Sequence, residues 1–397
     1  MHSPLHPRPV YPPELEAAWL TIACRVTRRK RWPHAIRDLL PDIATLSDTL
    51  TTDREPGFAN YAHDKRSILS YGVFFFPQTY QRAAFTLSEW LLRHQPLATS
   101  RQVFRVLDAG AGAGASTFAT LDLLTRHASP DLRLDITAVD RSPESLKRLH
   151  ELYRDLRTRW PRARLRTDTL ELPHLRRIPN GPFDLVLVSF ALNELIEERG
   201  EPYLDKWLAM AMKCVRPGGS LILLEPATQD ASLRLQRLRD RIAETATATI
   251  GGPCLHHRPC PLLALGTDTW CHEVKTWQAP ESMRIANQTL RRDIAVLKWS
   301  FLILTNTPPP PAPDPQPHMR LVTPLLLPKG KLAATGCGAD GHLHPREILA
   351  RNFSARDIKD LKSIERGDLV EWPAETLLGD GTTYRSEHPP TRTFGFE

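Results

Sequence analysis

The chain of 397 residues is long enough for two or three domains and for a core that needs no staples, which excludes reading its six cysteines as a small secreted disulfide framework. Its amino end, "MHSPLHPRPVYPPELEAAW", is broken by prolines and a glutamate where a signal peptide needs a charged start and an apolar run, and no apolar stretch reaches the roughly 18–20 residues of a membrane span; the expectation is a cytoplasmic protein with reduced thiols and no membrane partner. With 52 Lys plus Arg against 45 Asp plus Glu the net charge is +7, concentrated in "CRVTRRKRW" (Cys24–Trp32) and "LRTRWPRARLRTD" (Leu156–Asp168), which favours a polyanionic partner; the plain alternative is two solvated faces.

Residues 1–98 read as a helical amino-terminal region. "PPELEAAWLTIACRVTR" and "YQRAAFTLSEWLLRH" carry apolar residues at helical spacing, and between them lies "YAHDKRSILSYGVFFFPQTYQRA", an aromatic-rich loop entering a helix. From 99 to 306 short apolar runs alternate with amphipathic segments, the pattern of βαβ units in an α/β, doubly wound, mostly parallel sheet. The strands are "VFRVLDAG", "LRLDITAVD", "ARLRTD", "FDLVLVSF" and "GSLILLEP". The helices are "ASTFATLDLLTRH", "SPESLKRLHELYRDLRTRW", a short turn after Asp168, "EPYLDKWLAMAMKCV" and "DASLRLQRLRDRIAETAT". A Cys-rich insertion at 250–275 interrupts this alternation, and "DIAVLKWSFLILTNT" resumes it with a strand. Residues 307–318 form a stiff proline-rich linker, and 319–397 a small β-rich carboxyl-terminal module.

"VLDAGAGAGAS" (Val106–Ser116) is a strand running into a glycine loop that opens a helix, where backbone approaches a nucleotide-like ligand closely. Its glycines, Gly110, Gly112 and Gly114, are spaced G-x-G-x-G, not in the dinucleotide pattern, and Asp108 stands at the strand end. An acid there suits an ammonium and a sulfonium better than a pyrophosphate. Asp140, ending the second strand, is placed to accept from both ribose hydroxyls, and Asp168, after the third, from an adenine amino group. With these parts in order, the segment resembles the class I S-adenosylmethionine-dependent methyltransferases. The fourth strand ends in "SFALNEL", without the Asn/Asp-Pro-Pro-aromatic run of amino-directed nucleic-acid methyltransferases. Asn193 and Glu194 orient a substrate there or cap the next helix, and no catalytic base is assigned.

Setting Cys24 and Cys214 aside as ordinary buried thiols leaves Cys254, Cys260, Cys271 and Cys337, a set that suits zinc or an iron–sulfur cluster. The wide C-x5-C-x10-C spacing lacks tight C-x-x-C knuckles and suits the bulkier group; the rival is a Cys3His zinc site drawing on His256, His257 or His272.

Together, "FFPQTYQRA", "PC-x5-CP…WCH" after the fifth strand and a fourth cysteine in a β module resemble the ribosomal small-subunit methyltransferase-like family, across roughly Tyr61–Trp372. The resemblance implies a [4Fe–4S] cluster on Cys254, Cys260, Cys271 and Cys337. It also implies small-subunit rRNA or a pre-ribosomal particle as partner, for a protein monomeric off the ribosome. Two departures stand out: Leu255 replaces a proline in "PCLHHRPCP", and Phe76 precedes Pro77 where the family has arginine. The expected function is an S-adenosylmethionine-dependent methyltransferase-like protein of small-subunit rRNA or its assembly. The alternatives are a non-catalytic rRNA-binding assembly factor of the same fold and a small-molecule methyltransferase with structural zinc.

Overall fold

The computed structural model describes residues 5–51, 64–95, 97, 101–178, 181–266, 269–307 and 318–396. The proline-rich linker, but for its two end residues, lies outside them. The chain folds as two compact units, one of Pro9–Leu224 with Thr276–Leu297, the other of Met1–Arg8, Glu225–Lys275 and Lys298–Glu397.

The first unit is built on five parallel strands: β1 (Val103–Ala109), β2 (Arg133–Asp140), β3 (Ala163–Thr169), β4 (Phe183–Ser189) and β5 (Val215–Pro226), side by side in the order β3-β2-β1-β4-β5. Every residue of β4 is buried, as a parallel strand covered on both faces requires. The chain steps outward from β1 to β2 and β3, then returns to lay β4 against the other side of β1, opening a crevice beyond the carboxyl ends of β1 and β4.

Four helices precede the sheet: α1 (Pro13–Thr27), α2 (Trp32–Thr51), α3 (Lys65–Ser70) and α4 (Phe76–His94). The aromatic-rich loop expected between the helical stretches is, over its described residues, continuous helix: Asp64 caps α3 by accepting from the Ser67 amide at 2.9 Å, and Tyr71–Phe75 form a single π turn leading into α4. The physical reason is burial, since Gly72, Val73, Phe74 and Phe76 all face the core. Pro77, which reads as a loop signal, lies in the first turn of α4, where a missing N–H costs nothing.

Between the strands lie α5 (Ala115–His127), α6 (Pro143–Leu156), α7 (Leu192–Arg199) and α8 (Tyr203–Met212). The turn expected after Asp168 is a short 3-10 helix, Leu172–Arg177. A chain of rings ties the early helices to α5: Trp19 to Phe76 at 5.3 Å, Phe76 to Phe118 at 6.1 Å, and Phe118 to Trp160 at 5.3 Å. Asp122 on α5 anchors it, accepting from the Tyr80 hydroxyl at 2.7 Å and the Trp160 indole at 2.8 Å.

The second unit contains α9 (Gln229–Thr245), followed by β6 (Thr249–Gly252), β7 (Glu273–Thr276) and β8 (Val296–Thr305), with β8 pairing both β6 and β7. Its carboxyl-terminal part comprises β9 (His318–Leu321), β10 (Lys331–Gly338), β11 (Leu343–Leu349), β12 (Leu369–Glu371), β13 (Thr376–Leu377), β14 (Tyr384–Arg385) and β15 (Thr391–Phe396). The final segment adds to both edges of this sheet, β14 lying parallel to β11 and β15 antiparallel to β12. The Lys275 ammonium meets the Asp368 carboxylate at 2.5 Å in its buried base. No helix among the described residues is long and apolar enough to cross a membrane.

A Cβ on Gly72 would lie 2.2 Å from the Trp19 ring, which is only 1% exposed. Gly72→Ala gains at most about 1 kcal/mol of helix propensity but forces a repacking that costs roughly 1–3 kcal/mol. Urea unfolding should show a net loss; an unchanged midpoint would refute the close approach of Trp19.

Candidate functional site

The crevice at the β1–β4 reversal gathers most of the polar residues singled out in the sequence. Asp108 is fully buried in β1, level with Ala138 of β2 and Leu187 of β4. Its Oδ2 accepts from the Thr117 hydroxyl at 2.6 Å, while its Oδ1 is buried with no hydrogen-bond partner. Burial pushes the Asp108 carboxyl up to about 7, nearby Asp140 adding to the rise and the Thr117 bond opposing it.

The glycine loop that follows is left-handed at Gly110, Gly112 and Gly114. A Cβ on Gly110 would lie 2.7 Å from that of Ala191, and one on Gly114 2.7 Å from Leu149, so both glycines serve close packing. A Cβ on Gly112 would meet nothing within 4 Å, so that side of the loop is open. Asp140 is held by backbone: Oδ2 accepts from the Gly112 amide and Oδ1 from the Ser142 amide, each at 2.8 Å. Asp168 is exposed at the carboxyl end of β3, one strand further out, and the chain after it returns to Asp140, the Leu170 amide bonding the Asp140 carbonyl at 3.0 Å.

On the β4 side, α7 has Ala191 as its N-cap, so Asn193 and Glu194 lie in its first turn and neither is the cap. Burial pushes Glu194 up to about 7, with Asp140 and Glu198 adding to it and Arg141, 3.2 Å away, opposing. Phe190, just after β4, adopts φ +60°, an uncommon backbone for a bulky residue. The Arg82 guanidinium of α4 lies over its ring, 5.7 Å from the centroid. Sequence reading gave Arg82, Tyr71 and Phe190 no role: Arg82 lies in "FFPQTYQRA" and Phe190 in "SFALNEL", and no local spacing marks either for a ligand.

In the second unit Cys254, Cys260, Cys271 and Cys337 line a single cavity of about 50 Å³, beside His256 and His272; His257 is not among its lining residues. By the measure in which one water takes roughly 10–15 Å³, the space holds several waters. Among the described residues no three His, Cys, Asp or Glu side chains converge on a point that could hold one metal ion, so the metal-binding insertion expected from the sequence is not established by this geometry. All six cysteines are free thiols. Burial raises Cys260 and Cys271, the latter to about 12, and drives Cys337 higher still, with the neighbouring cysteines adding to each. Donors already address the sulfurs: Gln236 Nε2 lies 3.2 Å from Cys260 Sγ and His256 Nε2 3.4 Å from Cys337 Sγ. Burial beside Arg239 holds His256 down to about 4, so its ring is neutral at physiological pH.

The two arginine-rich segments divide. Trp160 is buried, and Arg159 pairs with Glu14 and Asp122 while Arg29 pairs with Asp38; Arg157, Arg162 and Arg164 are exposed.

The parallel sheet, its order and the glycine loop at its reversal define a Rossmann-like fold of the methyltransferase type. The chain belongs to the family described as mitochondrial small ribosomal subunit Rsm22, whose model matches residues 65–385. No curated protein matches it. Solved structures that it resembles include the citrinin polyketide synthase CMeT domain, at 15% identity over 76% of this chain and 81% of that one, with a TM-score of 0.38. Magnesium protoporphyrin IX methyltransferase from Synechocystis PCC 6803 matches at 12% over 66% and 96%, with 0.33. A SAM-dependent methyltransferase from Aquifex aeolicus matches at 16% over 50% and 90%, with 0.31.

A carboxyl that titrates near 7 when folded, above its ordinary 3.8, holds its proton longer in the folded protein. The stability it contributes is whole below about pH 4 and is lost as pH rises through 7. Asp108→Asn should therefore melt increasingly above the parent protein between pH 5 and pH 8; a difference that stays flat with pH would overturn the shift.

Proposed function

We propose that this chain is an S-adenosylmethionine-dependent methyltransferase-like protein that acts on small-subunit rRNA or in assembly of the small ribosomal subunit. The observation that carries the reading is Asp108: a buried carboxylate with one oxygen unused, beside an open glycine loop, is stabilised by a ligand bringing a positive charge to that point. S-adenosylmethionine brings an ammonium and a sulfonium, and supplies an electrophilic methyl group when bound. In this assignment Asp108 takes the ammonium end, Asp140 the ribose hydroxyls and Asp168 the adenine amino group, while Gly110, Gly112 and Gly114 shape the loop that the cofactor lies against. The ribosomal partner follows from the family, and the exposed Arg157, Arg162 and Arg164 suit phosphate contacts.

Cys254, Cys260, Cys271 and Cys337 are assigned to a structural [4Fe–4S] cluster. Four thiols lining one cavity with room for several waters, without the tight convergence a single ion demands, suit a polynuclear group better than zinc, whose sulfurs lie about 2.3 Å from the metal. The cluster would supply the positive charge that lets four mutually repelling thiolates persist, joining the 251–275 segment to β10. Six free cysteines call for a reducing compartment; the sequence reading is cytoplasmic, whereas the family description is mitochondrial.

A second reading, an rRNA-binding assembly factor that transfers no methyl group, is favoured by the Ser189–Phe190–Ala191–Leu192 run after β4, which offers none of the usual amide acceptors.

The deciding experiment purifies the protein without oxygen, records its visible spectrum and incubates it with radiolabelled S-adenosylmethionine and small-subunit particles from a strain lacking it. Labelled rRNA supports transfer; particles bound but unlabelled support the assembly factor; failure to bind S-adenosylmethionine ends the cofactor reading. Cys260→Ser should bleach the brown colour expected of the parent protein, and a fully coloured variant would end the cluster assignment.

A further inference from the structure

The geometry points to Arg82 as an oxyanion-binding residue of the β1–β4 crevice, taking a carboxylate or a phosphate beside Phe190. The inference deepens the proposed function and rests on its reading of the crevice as a cofactor site.

Arg82 Nε is buried with no hydrogen-bond partner, and the residue forms no ion pair with a carboxylate among the described residues. Its nearest acceptor is neutral, Gln78 Oε1 at 3.4 Å. Two other part-buried arginines of the same unit are neutralised, Arg159 by Glu14 and Asp122 and Arg216 by Asp184 at 2.8 Å. A partly buried guanidinium without a counter-ion costs stability, so its retention suits an anion that arrives from outside. Burial holds the Arg82 guanidinium down to about 10, which leaves it charged at physiological pH.

Its position is fixed from two sides. The cation–π contact puts it over Phe190, the strained residue that leaves β4 at the reversal. The Tyr71 phenol is within electrostatic reach of Arg82 and of both Asp108 and Asp140, Arg82 lowering its pKa and the two carboxylates raising it. Ser189, next to Phe190, has a buried hydroxyl without a partner and is a second donor at the same strand end. Acids that take an ammonium and a cation that takes a carboxylate are the two halves of a zwitterion site. The oxyanion is either the carboxylate of the methionine end of the cofactor or a phosphate of the acceptor.

Calorimetric titrations of the full-length protein with S-adenosylmethionine, decarboxylated S-adenosylmethionine and inorganic phosphate separate these sources. If the carboxylate is bound, the parent protein prefers S-adenosylmethionine over its decarboxylated form by about tenfold to a hundredfold, the range of a charge-assisted hydrogen bond. Arg82→Gln then loses that preference by weakening only the carboxylated ligand, and Arg82→Lys keeps part of it. If phosphate is bound, both variants bind S-adenosylmethionine as the parent does, and Arg82→Gln alone loses phosphate. Because no partner is stranded, Arg82→Gln should melt no lower than the parent protein.

Parent and Arg82→Gln binding all three ligands within twofold of each other would overturn the proposal. So would a variant that melts several degrees lower with binding unchanged, the mark of a structural arginine. If Arg82→Gln does not fold, Arg82→Met takes its place under the same criteria: unchanged binding of S-adenosylmethionine and of phosphate overturns the proposal. Phosphate bound through Arg82 in a protein that ignores S-adenosylmethionine would uphold the oxyanion site and end the cofactor reading; binding of neither would end both.

Discussion

The larger unit depends on one constraint: a parallel sheet that reverses its winding between β1 and β4 cannot cover the carboxyl ends of those two strands with its own crossovers. Charged groups gather at that uncovered edge and are left underused. Asp108 is buried with an idle oxygen, Arg82 with an idle Nε, and Ser189 with an idle hydroxyl. Elsewhere in the same unit Asp122 holds Tyr80, Trp160 and Arg159 at once. Three underused polar groups converging on one uncovered edge fit a place built for a ligand.

The amino-terminal helices contribute to that edge as well as covering the sheet. The ring ladder from Trp19 through Phe76 and Phe118 to Trp160 fixes α4 against α5. Once α4 is fixed, Arg82 and Phe190 meet. The π turn before it, closed over the bare backbone of Gly72, sets the direction in which Tyr71 enters, and Tyr71 bonds forward to Thr79 at 3.1 Å. Packing far from the crevice thus decides which side chains reach it.

The second unit solves a different problem. Four thiols brought to one cavity by α9, the 251–275 segment and β10 cannot all ionise in an apolar surrounding without an added cation, which is why burial and mutual repulsion raise three of them together. Gln236 serves two of these residues, donating toward Cys260 Sγ and accepting from the Cys271 amide at 3.1 Å. Buried ion pairs, Lys275 with Asp368 and Arg320 with Glu273, tie the same segment to the carboxyl-terminal sheet.

By itself the sequence determined what local period and composition can encode: the alternation that makes the doubly wound sheet, the glycine loop with Asp108 and Asp140, the four cysteines set apart by spacing, and the β-rich final module. It misread the "YAHDKRSILSYGVFFFPQTYQRA" segment as a loop, because Gly72 and Pro77 are breakers by local rule and become tolerable only against Trp19 and in the first turn of α4. It left Trp160 and its flanking arginines as one candidate surface, where the fold buries Trp160 and commits Arg159 to carboxylates. Tertiary structure alone decided that Arg82, eight residues before Trp90 on an ordinary amphipathic helix, faces Phe190 more than a hundred positions away, and that Gln236 of α9 serves both Cys260 and Cys271. The physical reason is that the energy of a buried charge or thiol is set by what surrounds it in space, and no spacing rule carries that information across elements whose packing is decided together.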